Sequence, residues 1–219
     1  MTDIAALTGR LATCYTGVVH DVMRAMGLRN FTLPPEITPL IPEQVLCGPA
    51  FTIEGHPADA AADAHETLLA WTGLLSKAPS GHIWVCQPHT HDLAQMGELS
   101  AETLKNKGVR GCVLDGLARD THFLTDIGFQ CWRRGHTPKD IVGRWLPTGT
   151  GHVIHIGDVA IADGDFLLGD RDGMVRVPRD IVTLVTEKSV EAMSTESKVR
   201  SAILDGIDPQ EAYLKYGKF

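Results

Sequence analysis

Residues 97–135 read GELSAETLKNKGVRGCVLDGLARDTHFLTDIGFQCWRRG, and the order of patterns in this stretch decides the fold. Gly97 is followed by small and apolar residues at helical spacing up to Gly108, the pattern of a helix that follows one glycine and stops at another. Residues 109–114 form an uninterrupted, buried type of strand that Asp115-Gly116 terminates. Residues 119–127 read as a short helix ended by Gly128, and FQCWRRG as another strand. Helix, strand, helix, strand is alternating α/β material.

The same reading extends in both directions. Toward the N-terminus, VLCGPAFTIEG and HIWVCQ are β-like runs with a helical run over residues 65–76 between them. Ahead of them, residues 28–42 hold four prolines and make an irregular crossing segment. The chain opens on helix, with Thr16 placed as N-cap of a second helix over residues 17–26 that stops at Gly27. Toward the C-terminus, GHVIHIGDVAIADGDFLLGDRDGMVRVP offers several short strands separated by Gly-Asp and Asp-Gly turns, a β-rich half. A long amphipathic helix runs over residues 179–204, and a last short one starts at Pro209, a favourable first helical residue. The expected organisation is one compact domain over residues 1–219 with a C-terminal helical extension from about residue 179.

Composition narrows the function classes. A chain of 219 residues with 43% hydrophobic residues buries a sizeable core. A net charge of -7, with no Lys/Arg cluster interleaved with aromatics, offers no field for a phosphate backbone, so nucleic acid is not an expected partner. No stretch approaches a membrane span and the first residues do not read as a leader, so the expected location is cytoplasmic. Cys14, Cys47, Cys86, Cys112 and Cys131 are scattered, odd in number and free of any C-x-x-C pair, which reads as core packing in a reducing compartment.

Chemistry gathers at the ends of the 109–114 strand. Asp115 closes it and Arg119-Asp120 opens the next helix, so two carboxylates and a guanidinium share one strand's C-terminal edge, where α/β sheets place ligands. Glu98, at the start of the preceding helix, is separated from Arg119 by twenty residues, one helix plus one strand. If that helix runs antiparallel to the strand, its N-terminus returns to the same edge. Glu98 and Asp120 then face a common hard cation, and Arg119 offers a fork for a carboxylate or enolate. The plainer reading of the same residues is a capping ion pair and an Asp-Gly turn.

The stretch from Gly97 through GHTPKDIVGRW resembles the family of 4-hydroxy-4-methyl-2-oxoglutarate/4-carboxy-4-hydroxy-2-oxoadipate aldolases and RraA proteins. HDVMRAMG, GPAFTI, GDFLLGDRDGMVRVP and EAYLKYGKF extend the resemblance over most of the chain. Its most specific element is the acidic residue, twenty intervening residues and Arg-Asp. The resemblance implies an RraA-like β/β/α sandwich of the swivelling-domain type, and a metal-assisted retro-aldol or decarboxylation through a pyruvate enolate. It implies Mg²⁺ or Mn²⁺ on Asp120, Glu98 acting through metal-bound water, and Arg119 on the oxo acid and the developing enolate. Gly97 and the amides of Leu99 and Ser100 then receive the substrate carboxylate, since a helix N-terminus is an anion site.

The resemblance further implies a homotrimer or a pair of trimers, a homohexamer, with a glutamate from a neighbouring subunit's C-terminal helix completing the site. Glu196 is the best match and Glu191 the reserve. Two departures bear on substrate: the aldolases generally carry Asp where this chain has Glu98, and no acid follows Asp120, where Thr121, His122 and Phe123 stand. The expected substrate is thus a small 2-oxo acid of the 4-hydroxy-4-methyl-2-oxoglutarate or oxaloacetate type. The alternative the family offers is a protein-binding regulator of RNA-degrading enzymes. Quinone methyl transfer, a third name attached to the family, lacks a glycine-rich cofactor loop here.

Other signals carry less. His89-Thr90-His91-Asp92 reads as loop polarity near the pocket rather than as a ligand set. His152 and His155 are expected on opposite faces of a strand. Asp170-Arg171-Asp172-Gly173 reads as a hairpin turn, since the twelfth position of a calcium loop would be Ile181. Thr148-Gly149-Thr150-Gly151 reads as a flexible lead-in to the last strands, and Asp21 as a buried hydrogen-bonder beside His20.

Overall fold

The computed structural model describes residues 3–58 and 62–217, so Lys218 and Phe219 at the end of EAYLKYGKF lie outside the described residues. Helix α1 (Ile4–Leu11) is opened by Asp3, whose side chain accepts the Ala5 N–H. In α2 (Thr16–Ala25) the expected cap is displaced: Tyr15 stands at the N-cap and Thr16 is the first helical residue. Thr16 donates both its N–H and its hydroxyl to the Asp170 carboxylate, each at 2.7 Å, so the capping oxygens come from a turn 154 residues away. The crossing segment carries β1 (Thr38–Pro39) and leads into β2 (Leu46–Pro57). Asp63 caps α3 (Ala64–Lys77), and β3 (Ile83–Gln87) and β4 (Ala94–Met96) follow.

The decisive stretch then forms α4 (Glu98–Asn106), β5 (Gly111–Leu114), β6 (Leu117–Ala118), α5 (Thr121–Asp126), β7 (Cys131–Arg133) and β8 (Gly135–His136). Gly108 and Gly128 stop the two helices at φ 79° and 65°, a conformation that costs glycine little. Beyond lie β9 (Trp145–Thr150), β10 (Ile154–Ile156), β11 (Val159–Ile161), β12 (Phe166–Asp170) and β13 (Gly173–Val177). Helices α6 (Val182–Leu204) and α7 (Pro209–Tyr216) complete the order.

The main sheet runs β1-β7-β5-β3-β2-β12-β13, with β9 also paired to β2. Strands β7, β5, β3 and β2 are parallel to one another, each step crossed by a helix, and β12 and β13 extend the sheet antiparallel. The expected β-rich half therefore joins the α/β half edge to edge. The segment before β1 also touches β13: Thr32 bridges Val175, and the Leu33 N–H donates to the Met174 carbonyl at 2.9 Å. One stretch of chain thus borders both sheet edges, and the mixed α/β sheet curls into a nearly closed barrel.

Alternation along β2 sorts the core. Leu46 and Ala50 point into the barrel with Ile83, Val85, Val113 and Trp132, and the β10–β11 hairpin plugs that interior with Ile154, Ile156, Val159 and Ile161. Cys47 points outward into the cluster that α1, α2 and α6 cover, and Ile53 into the one that α3, α4 and α5 cover. Helices thus cover one face of the sheet. Trp84, Trp132 and Trp145 have no exposed surface, and truncating any of them to Ala costs about 3–5 kcal/mol.

Two local expectations are corrected, and a third, the 170–173 hairpin turn, is borne out. Thr148, Gly149 and Thr150 belong to β9 and pair with β2, because the twelve-residue β2 outruns β12 and leaves a ladder edge to satisfy. Asp21 is half-buried and pairs with Arg24 at 3.1 Å. The 170–173 turn does join β12 to β13, with Asp170 opposite Gly173, but neither Arg171 nor Asp172 has positive φ; the Asp170 carboxylate accepts the Asp172 N–H at 3.0 Å instead. Among the described residues no helix is long and apolar enough to cross a membrane.

Candidate active site

A second, small parallel sheet brings the candidate residues together. Strands β4, β6 and β8 continue the chain just past β3, β5 and β7 and pair in the order β4-β6-β8. Met96 is registered against Ala118, and the Arg119 N–H donates to the Met96 carbonyl at 2.8 Å. Gly97 and Arg119 are the next residues along, so this pairing sets the start of α4 beside the Arg119-Asp120 pair.

Contact there is close. Asp120 Oδ2 accepts the Glu98 N–H at 3.2 Å and lies 3.5 Å from Arg119 Nε. Asp120 adopts φ 53°, ψ 36°, a left-handed conformation that Asp tolerates better than most residues, and makes no cap bond to its own α5. A Cβ at Gly97 would stand 2.7 Å from Asp120 Oδ2 and 3.1 Å from Arg119 Cγ and Nε, so the carboxylate and guanidinium occupy the space that glycine leaves. The α4 dipole and the guanidinium both favour negative charge at this point.

Arg119 is held from its other side by a residue the sequence reading did not single out. Asp140 Oδ2 lies 3.3 Å from Arg119 Nη1, while its Oδ1 accepts the Val142 N–H at 3.2 Å and lies 3.6 Å from Arg144. Asp140 follows β8 within the stretch quoted for the family resemblance, but nothing in its local pattern distinguishes it from a loop acid.

Glu98, Arg119, Asp120 and Asp140 line a cavity of about 410 Å³, walled by Trp71 of α3. Gly97, Leu99 and Ser100 line it as well. Leu99 and Ser100 lie in the first turn of α4, ahead of the Ala101 N–H to Gly97 carbonyl bond at 3.0 Å. Ser100 Oγ accepts the Trp71 Nε1–H at 2.9 Å, which fixes the wall to the helix start. Gln95, only 1% exposed, is among the residues lining the cavity; its Oε1 accepts the Leu117 N–H at 3.3 Å, while its buried amide nitrogen has no protein partner. A buried donor of that kind favours a ligand that brings an oxygen acceptor.

Not every expected residue converges. Asp115 is turned away to Arg134 Nε at 2.6 Å, with His91 3.5 Å off, and does not line the cavity, so the strand edge contributes one carboxylate fewer than its sequence promises. Glu196, on α6, accepts a hydrogen bond from the Tyr15 hydroxyl and does not line its own chain's cavity. Of the 89–92 segment, His89 meets Glu54 and His56 of β2. The strict alternation of Thr-Ile-Glu-Gly-His was the available signal that Glu54 and His56 share a face. All five cysteines are buried and free, and burial pushes the thiols of Cys14, Cys86 and Cys112 up and that of Cys47 to about 12, so none of these four is poised as a nucleophile.

Comparison with known proteins agrees with this fold. A family model described as RraA-like, Aldolase/RraA, matches residues 16–176. Protein DlpA of Legionella pneumophila is 23% identical over 96% of this chain, which spans only 34% of DlpA's length. A protein of Halalkalibacterium halodurans, provisionally named a 4-hydroxy-4-methyl-2-oxoglutarate aldolase, is 27% identical over 86% of this chain and 85% of its own length. The crystal structure of Streptomyces coelicolor RraAS2, described as an unusual member of the RNase ES inhibitor RraA protein family, superposes with a TM-score of 0.80 at 23% identity, covering 91% of this chain and 98% of that one. With the model matching most of its length and the fold shared, this chain belongs to the RraA-like, Aldolase/RraA family.

Proposed function

We propose that the protein is a divalent-cation-dependent carbon–carbon lyase that cleaves a small 2-oxo acid of the 4-hydroxy-4-methyl-2-oxoglutarate or oxaloacetate type. The observation that carries this reading is the convergence of Asp120, Glu98 and Arg119 on one cavity at the N-terminus of α4. A regulator of RNA-degrading enzymes has no need of that constellation. The 27% identity to the provisionally named aldolase supports the same reading.

The donor set fits Mg²⁺ or Mn²⁺. Among the described residues, carboxylate oxygens of Glu98, Asp120 and Asp140 are the charged ligand groups that line the cavity, and a small hard cation is commonly held by one or two carboxylates with water filling the remaining positions. Asp120 would hold it directly and Glu98 through water, and the bound cation would supply Lewis-acid polarisation of the substrate's oxo group. The chain's own groups do the rest. The first-turn amides of Leu99 and Ser100 bind the carboxylate next to the oxo group.

In the retro-aldol reaction a proton leaves the C4 hydroxyl toward Glu98 or its water. The C3–C4 bond breaks and its electron pair passes into a pyruvate enolate, which Arg119 stabilises through its guanidinium. Protonation at C3 gives pyruvate, and the other half leaves as a second 2-oxo acid. Asp140 keeps Arg119 directed at the enolate oxygen. The cavity opens beside exposed apolar residues, Leu68 at 48% and Leu99 at 77%, which supports closure by another copy in a trimer or a pair of trimers. In that assembly Glu196 of a neighbouring subunit completes the site. A coupled assay for pyruvate release from both substrates, with and without Mg²⁺ or Mn²⁺, tests the reading. No cation-dependent turnover of either substrate overturns it.

A further inference from the structure

On β2, Ile53 and Gly55 face the helices, and Gly55 lies so close under Trp145 that a Cβ would stand 2.1 Å from the indole. Glu54 and His56 therefore face the other way, onto the mouth of the barrel. The loop after β3 adds His89, whose Nε2 lies 2.9 Å from Glu54 Oε1. The His56 and His89 rings stack at 4.0 Å and 8°. One ligand atom from each of the three residues falls within 4.8 Å of the others, and none of the three lines the cavity that holds Asp120.

From this arrangement we infer a cation site built by Glu54, His56 and His89, for a borderline transition ion such as Zn²⁺ rather than Mg²⁺. Two imidazoles and one carboxylate are the ligand types such ions prefer, and the oxygen-only set at Asp120 is the hard-cation alternative. Metal bonds of about 2.0–2.2 Å put neighbouring ligand atoms roughly 3 Å apart, so the Glu54–His89 separation already has the required scale. The scaffold is stiff: Glu54 sits in the ladder between Gln87 of β3 and Gly149 of β9. His89 reaches the cluster from φ 51°, a conformation that costs a non-glycine residue about 1 kcal/mol or more and is held only where its surroundings require it. His56 and His89 are exposed, which leaves the remaining coordination positions open to water or an anionic ligand. His89 opens the loop that runs into β4 and Gly97, so an ion here fastens the lead-in to the α4 N-terminus onto β2.

The test is Zn²⁺ titration of the untagged full chain by calorimetry, with Co²⁺ absorption as a second readout. His56→Ala removes a ligand at the exposed end of β2, and His89→Asn keeps a residue tolerant of positive φ. Each is expected to weaken Zn²⁺ binding about tenfold or more and to abolish the Co²⁺ bands of imidazole ligation, with the apo circular dichroism unchanged. Asp120→Ala is expected to leave both signals at this site intact. Equal Zn²⁺ affinity and Co²⁺ spectra in wild type and both histidine variants, or loss of binding in Asp120→Ala alone, overturns the inference. Because the pyruvate assay reads the Asp120 site, either reading can fail without the other.

Discussion

The Asp120 carboxylate caps a helix that is not its own: Oδ2 accepts the Glu98 N–H at 3.2 Å, while Asp120 itself stands at the N-cap of α5. Gly97 makes this possible, since it occupies the N-cap of α4 without a side chain to fill the space. A single residue thereby joins the starts of two helices, its backbone at the N-cap of α5 and its carboxylate on the first turn of α4.

Gly97→Ala tests that packing. The new Cβ would stand 2.7 Å from Asp120 Oδ2, so the carboxylate or the helix start must shift by several tenths of an ångström. Displacements of about 1 Å in a catalytic constellation cost roughly a hundredfold in rate. The expected result is a fall in kcat of about tenfold to a hundredfold, with the thermal midpoint lowered by only a few degrees. Steady-state kinetics of pyruvate release, read beside a melting curve, checks it.

Asp140 acts through Arg119. Removing its charge in Asp140→Asn frees one side of the guanidinium at 3.3 Å and is expected to lower kcat with little change in KM. Arg119→Lys is expected to fall further, because an ammonium cannot reach Asp120 and Asp140 with one planar fork. Comparing the kcat and KM split of the two variants separates positioning from simple loss of charge.

The wall of the cavity makes a stability prediction. Ser100→Ala leaves the Trp71 Nε1–H without its 2.9 Å partner and is expected to cost about 1 kcal/mol. Trp71→Ala removes a ring that also packs edge-on against Trp84 and Trp145 and is expected to cost about 3–5 kcal/mol. Denaturant midpoints at constant slope give both numbers.

Buried thiols set an alkaline limit. The Cys47 thiol is raised to about 12 by burial, above its ordinary value of 9.0, so the folded state keeps a proton that the unfolded chain releases. Stability from this group is intact below pH 9 and is lost as pH rises toward 12, at about 1.4 kcal/mol per pH unit. Cys86 and Cys112, raised by burial, act in the same direction. Melting curves across pH 8–11 are expected to fall steeply in wild type and less steeply in Cys47→Ala.

Much of this was legible in the sequence because it rests on local periodicity. The helix–strand–helix–strand order of residues 97–135 and the return of Glu98 to Arg119-Asp120 follow from spacing, and the fold bears both out. What escaped depends on contacts between distant residues. Strands β4, β6 and β8 are two or three residues long, too short for any period, yet their pairing brings Gly97 to Arg119. Asp170 caps α2 from 154 residues away, which displaced the expected role of Thr16. Asp140 and the pair Glu54 and His56 become distinctive only when folding sets them against Arg119 and His89. Asp115 had the right address at its strand end but a stronger partner in Arg134.

The most direct test is pyruvate release from 4-hydroxy-4-methyl-2-oxoglutarate and from oxaloacetate by wild type and Asp120→Ala, each titrated with Mn²⁺ after chelator treatment. The expected result is turnover of at least one substrate that vanishes on chelation, returns with Mn²⁺ in wild type, and does not return in Asp120→Ala. Turnover indifferent to Mn²⁺, or retained by Asp120→Ala, would contradict the assignment of chemistry to this carboxylate.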